Sequence, residues 1–118
     1  MIKILNFCDE CGIYFAKMPF PKSVDKQRKF NLTKIGQAVN IKNRYDDLKT
    51  GNPLFQIFSI ISVEKNRLKI EENRAKNYFA NYHFKGEWYL NIPPQLIKDY
   101  IKMRKKVLAN QETDKEVI

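Results

Sequence analysis

The sequence predicts an α+β domain: a small, mostly antiparallel three-stranded sheet with flanking helices, followed by a basic C-terminal helix. Two observations carry this expectation. Short runs with period-two patterning occur at residues 12–17 and 31–37, and an almost continuous apolar run occupies 54–63. Segments of helical period lie between and after them, so strands and helices do not alternate regularly as they do in a doubly wound sheet.

In GIYFAK, residues 12–17, Ile13 and Phe15 point to one face and Tyr14 to the other. Residues 18–29 carry Pro19, Pro21 and the cations Lys22, Lys26, Arg28 and Lys29, which reads as a basic loop. In NLTKIGQ, residues 31–37, Leu32, Lys34 and Gly36 share one face, and Thr33 and Ile35 the other. Asn40 is placed to cap a helix over 41–49, with Ile41, Tyr45 and Leu48 as its apolar stripe. Arg44 sits beside that stripe and reaches over the edge of the core. Thr50-Gly51-Asn52-Pro53 ends the helix.

Residues 54–63, LFQIFSIISV, are apolar at most positions, so this strand is expected at the centre of the sheet, covered on both faces. Residues 65–82 read as a helix with Leu68, Ala75 and Phe79 buried. Glu72 falls in that stripe, where a carboxylate is costly unless it is paired or metal-bound. Glu71 falls with Arg67 and Arg74 on the face expected to be solvated. Residues 86–91 read as a short extended piece. A last helix spans about 94–109, with Ile97, Tyr100 or Ile101, and Leu108 inward, and a polar tail follows. The organisation expected is one domain over 1–110, with its core at 12–91.

Composition narrows the partners. The 118 residues include 22 Lys and Arg against 13 Asp and Glu, a net charge of +9. Such a surplus favours a polyanion, nucleic acid before anionic membrane; a surface kept basic for solubility is the alternative. Lys98, Lys102 and Lys105 repeat at i, i+4 and i+7 on the last helix. That stripe suits either a phosphate track or a solvated face. No apolar run is long enough to span a bilayer and no secretory leader is seen, so an intracellular, cytoplasmic location is expected. Cys8 and Cys11 form one C-x-x-C with no further Cys and one His, His83, and read as reduced thiols. A redox pair or a zinc site shared between subunits is the alternative. Trp88 and Tyr89 read as closing the core edge, with base stacking as the alternative.

Gly12-Ile13-Tyr14 followed by Lys34-Ile35-Gly36 resembles the paired signature of the GIY-YIG nuclease superfamily. The stretch KIGQAVNIKNRYDDLKTGNP, residues 34–53, resembles a phage and bacterial branch whose second element reads K-I-G. The run ENRAKNYFANYHFKGEWY, residues 72–89, is similar to that branch's Glu-bearing helix and the G-E-W-F-like segment after it. The likeness covers roughly residues 12–90.

The resemblance implies a metal-dependent endonuclease acting on DNA rather than RNA. In it Tyr14 lies against the nucleophilic water. Lys34 stands where many relatives have a second Tyr, and orients phosphate or helps activate water. Arg44 contacts the scissile phosphate. Glu72 holds one Mg²⁺ or Mn²⁺. The chemistry agrees: Arg44 offers a planar fork for phosphate, and one carboxylate with water and phosphate can complete a Mg²⁺ shell. A phenol near a cation and a metal-bound phosphate is expected to shed its proton more easily. Lys42, Lys98, Lys102 and Lys105 are the further candidate nucleic-acid contacts. Leu48 stands where many relatives have a His. His83 reads as a solvated loop residue, with phosphate contact as the alternative. Asn91 lies at a spacing unlike that of the relatives' phosphate-holding Asn. No separate targeting module is evident, so the domain is expected to cut with weak sequence preference, to dimerise, or to take specificity from a partner. The rival expectation is a non-catalytic nucleic-acid-binding module of the same fold. A basic interaction protein for an acidic partner or membrane is a third.

Overall fold

The computed structural model describes residues 11–17 and 31–117, with side chains described to residue 110. The basic loop cations and Cys8 lie outside the described residues. The elements are β1 (Gly12–Lys17), β2 (Leu32–Ala38), α1 (Ile41–Gly51), β3 (Gln56–Ser62), α2 (Leu68–Tyr78), β4 (His83–Lys85), β5 (Trp88–Leu90) and α3 (Pro94–Val117). One-turn 3₁₀ segments at Lys65–Arg67 and Ala80–Tyr82 flank α2, so the expected 65–82 helix is divided.

The α+β class stands, but the sheet has five strands rather than three, in the order β3-β1-β2-β5-β4. Every described strand pair is antiparallel. The extra strands come from the segment expected to be merely extended. Residues 83–90 fold back through the two-residue turn Gly86-Glu87, with Gly86 at φ 57°. Glycine adopts that left-handed backbone without a Cβ clash, and a Gly at the first turn position favours a tight hairpin. His83 therefore begins a strand and does not sit in a loop.

The run 54–63 does not form the central strand. Its β3 lies at the edge and pairs only with β1 among the described strands. The register explains its composition: Phe15 faces Ser59 and Ala16 faces Ile57, so Phe58 is the extra residue of a β-bulge. The bulge breaks the period of two. It directs Ile57 and Ile60 to one face, Ile61 to the other, and leaves Phe58 37% exposed.

Two apolar layers sandwich the sheet. Ile13, Phe15, Ile35, Ile61 and Tyr89 pack with α2 and α3 through Leu68, Ala75, Phe79, Ile97, Tyr100 and Ile101. On the other face Tyr14, Ala16, Ile57 and Ile60 pack with Ile41 of α1, and Tyr45, Leu48 and Trp88 lean against them. The Asn40 side chain caps α1 by accepting the Asn43 N–H at 3.0 Å. The last helix runs on to Val117 rather than ending at 109. Among the described residues no helix is long and apolar enough to cross a membrane.

One pair of helices is tied by charge. Glu71, expected on a solvated face, is 3% exposed. Arg104 of α3 grips it bidentately: Nε donates to Oε2 at 3.2 Å and the second guanidinium nitrogen to Oε1. Arg74 adds a 3.6 Å ion pair. The Tyr100 hydroxyl lies buried beside this cluster with no hydrogen-bond partner among the described residues.

Two glycines fix how closely β1 is packed. A Cβ on Gly12 would sit 2.3 Å from the Ile61 carbonyl oxygen. A Cβ on Gly36 would sit 2.5 Å from both Cζ and the hydroxyl of Tyr14. Since Tyr14 is fully buried, it cannot swing aside. Gly36→Ala is therefore expected to lower stability by about 1–3 kcal/mol in urea titration. Gly51→Ala, in open space on ordinary helical backbone, should be neutral or stabilise by about 0.5 kcal/mol.

Candidate functional site

β1 and β2 pair so that Tyr14 stands opposite Gly36, and the phenol ring lies over the glycine. That juxtaposition ties the first sequence element to the second in physical terms: the tyrosine needs the space that a glycine leaves. Arg44, one turn into α1, donates a hydrogen bond to the Tyr14 hydroxyl. Tyr14 is 0% exposed, whereas Arg44 is exposed.

Lys34 lies two residues from Gly36 on the same face, opposite Trp88 of β5. Its ammonium is 3.3 Å from Glu87 and 5.6 Å from the centre of the Trp88 ring. Glu87 was not among the residues that sequence reasoning selected. The turn fixes it: its carbonyl accepts the Ile35 N–H at 3.0 Å, the last rung joining this hairpin to β2. Beyond that rung, Gly36 to Ala38 pair with no strand on that side among the described residues.

Glu72 reaches this end of β2 from the opposite face. It is 8% exposed on α2. The Gln37 side-chain amide donates to its Oε1 at 3.3 Å, and Lys76 lies 3.5 Å from the same oxygen. Gln37 stands opposite Ile13, on the α2 side, whereas Tyr14 and Gly36 face α1. The structure therefore gathers Tyr14, Arg44, Lys34 and Glu87 on one face and sets Glu72 around the rim of β2. The two carboxylates still act on the same groups, and both Tyr14 and Tyr89 feel the charges of Glu72 and Glu87.

Burial and the neighbouring cation pull the Tyr14 hydroxyl in opposite directions. Burial pushes the Tyr14 hydroxyl above the usual phenol range, and the Arg44 hydrogen bond and charge only partly offset it. Glu87 and Glu72 add to the upward push. Tyr14 is thus a neutral phenol in the free protein, because desolvation outweighs the neighbouring cation. Burial likewise raises Tyr89, and raises Tyr100 to about 12. Groups with raised folded values support the fold fully below their unfolded value near pH 10, and lose that support as pH rises through the folded values. Urea stability is therefore expected to be flat from pH 8 to 9.5 and to fall by a total on the order of 2 kcal/mol by about pH 12. Tyr100→Phe should reduce that fall.

The remaining candidates lie elsewhere. Lys42 is paired with Asp46 at 3.4 Å on the exposed side of α1. Lys98, Lys102 and Lys105 line a groove of about 630 Å³ together with Lys17. Its floor includes Phe58, Ile97 and Ile101, so this lysine cluster is on the α3 face and not beside Tyr14. His83 Nε2 is bonded to the Gly86 carbonyl at 2.9 Å and its ring meets Tyr89 edge-on, a hairpin role. Asn91, at φ 57°, accepts the Asn31 N–H through its side chain at 2.9 Å and so anchors the start of β2. Trp88 and Tyr89 pack into opposite core layers, as expected for residues that close the core edge. Cys11 packs against the core, and burial raises its thiol above the ordinary range.

No group of three or more His, Cys, Asp or Glu side chains suited to a metal occurs among the described residues. A hard divalent cation that keeps most of its waters requires fewer protein ligands than that. Both contacts to Glu72 engage Oε1, so Oε2 is the atom suited to such an ion. No family model, curated protein or solved structure matches this chain.

Proposed function

We propose that this protein is a metal-dependent endonuclease that hydrolyses DNA phosphodiester bonds, using the face on which Tyr14, Arg44 and Lys34 converge. The observation that carries the reading is the pairing of Tyr14 with Arg44 over Gly36, next to the half-buried Lys34. Two cations and a phenol gather on the α1 face of the sheet, beside the unpaired end of β2, and in this reading they receive a phosphate and an attacking water. The order and spacing of these residues, with Glu72 following, also resemble the GIY-YIG nucleases.

In this reading Arg44 turns from the phenol to the scissile phosphate, where its fork matches two oxygens. That movement exposes the Tyr14 hydroxyl to the water it orients. Because Tyr14 starts as a neutral phenol, it acts first through a hydrogen bond. Lys34 places a second positive charge at the phosphate as negative charge builds in the transition state. Glu72 Oε2 would hold the Mg²⁺ or Mn²⁺, which supplies Lewis-acid charge to the phosphate and leaving oxygen when bound. In this reading the domain would cut with weak sequence preference, dimerise, or take specificity from a partner.

A second reading is a non-catalytic nucleic-acid-binding module. It is favoured by the full burial of Tyr14 and by the contacts that Lys76 and Gln37 make to Glu72. Nicking of supercoiled plasmid separates the two. The nuclease reading expects cutting in Mg²⁺ or Mn²⁺, none in EDTA, and a loss of about 10²–10³-fold in Arg44→Ala. Salt-sensitive binding with no cutting by folded wild type would select the binding module.

A further inference from the structure

We propose that Glu87 is the internal counter-ion of the phosphate-binding cations, and that an incoming phosphate must displace it. The inference rests on the phosphate-site reading above and deepens it.

Each cation of the face is already engaged. Arg44 donates to the Tyr14 hydroxyl, and Lys34 is 3.3 Å from Glu87. The Lys34 side chain is 15% exposed and that of Glu87 37%, so water screens this pair less than a fully exposed one. Glu87 also acts on Arg44 and Tyr14 through its charge, so one carboxylate is felt by every member of the cluster on that face. Its location is not incidental. The Gly86-Glu87 turn is pinned to β2 by the Ile35 N–H, next to Lys34, and the Trp88 ring lies under the Lys34 ammonium. The hairpin thus holds an anion beside the position where the phosphate has to sit.

Competition follows from Coulomb's law. A phosphate that takes Lys34 must break the Lys34–Glu87 pair and also come close to the Glu87 charge. Glu87 therefore weakens binding of any isolated phosphate. It favours a substrate that delivers several phosphates, or a metal ion, together with the scissile one. Glu87 is a positioning residue for Lys34 and does not touch the reacting atoms.

The test is duplex DNA binding in EDTA, by fluorescence anisotropy over a salt series. Glu87→Gln is expected to tighten Kd by about five- to tenfold, the size of a partly buried ion pair. Asp99→Asn, an equal charge change on α3 away from the cluster, should shift Kd by less than about twofold. In a Lys34→Met background Glu87→Gln should give no tightening. Glu87→Asp keeps the charge and should bind as wild type, which separates a charge effect from a disturbed turn. Equal shifts in Glu87→Gln and Asp99→Asn would overturn the inference alone, as would a full effect persisting without Lys34. Wild-type protein that binds no duplex at low salt would overturn the phosphate-site reading together with the inference.

Discussion

Glu72→Gln should remove metal-dependent plasmid cleavage almost completely, by about 10²–10⁴-fold, while leaving the protein folded. The substitution is nearly isosteric, so packing on α2 is kept. A Gln side-chain oxygen at the same place can still accept from Gln37. What disappears is the negative charge, and with it the affinity for a hard divalent cation that the proposed function assigns to this side chain. Loss of the partly buried Lys76 pair should lower stability by about 1 kcal/mol, too little to unfold the protein. DNA binding in EDTA should be unchanged or slightly tighter, because an anion has been taken from the rim of the phosphate site. Cleavage assays over a Mn²⁺ titration, beside a thermal melt, check both halves. Cleavage that survives in Glu72→Gln would place the metal elsewhere.

Arg104→Met should cost about 3–5 kcal/mol of stability, the largest effect expected of any substitution outside the apolar core. Glu71 is almost fully buried, and Arg104 supplies its bidentate partner. Without Arg104 the carboxylate keeps, among the described residues, the Arg74 ion pair, whose arginine is half exposed and 3.6 Å away. The double variant Glu71→Leu/Arg104→Met should recover most of the loss, because two buried charges are then replaced by apolar groups. Urea titration of the two single variants and the double gives the coupling energy directly. Additive losses would mean that the pair does not act as a unit.

Legibility in the sequence followed periodicity. β1, β2 and α1 are read from their alternation and from the Asn40 cap, and the burial of Glu72 from its phase with Leu68 and Ala75. β3 was placed wrongly because a bulge at Phe58 makes an edge strand look apolar on both faces. The β4–β5 hairpin was missed because three-residue strands are too short to show a period; only Gly86 signalled it. Glu71 looked solvated because helical phase locates the centre of a buried stripe and not its width. α3 packs beside α2 and widens the buried arc enough to cover Glu71, whose partner lies 33 residues along the chain. Within the site, Tyr14, Lys34, Arg44 and Glu72 were picked out together by the family resemblance, while helical phase alone marked Glu72 and Arg44. Glu87 and Gln37 become visible only once the strand register is known. The elevated Tyr14 value had no sequence signal either, since burial outweighs a cation that the sequence does show.

The central claim is that Glu72 and the Tyr14–Arg44–Lys34 face, though set on opposite sides of β2, serve one reacting phosphate. Its most direct test is a crystal structure of the protein with Mn²⁺ and a short DNA duplex, measured at the manganese absorption edge. The account predicts manganese held at Glu72 and a DNA phosphate at Arg44 in the same complex. A duplex lying instead along Lys98, Lys102 and Lys105, with no manganese at Glu72, would contradict it.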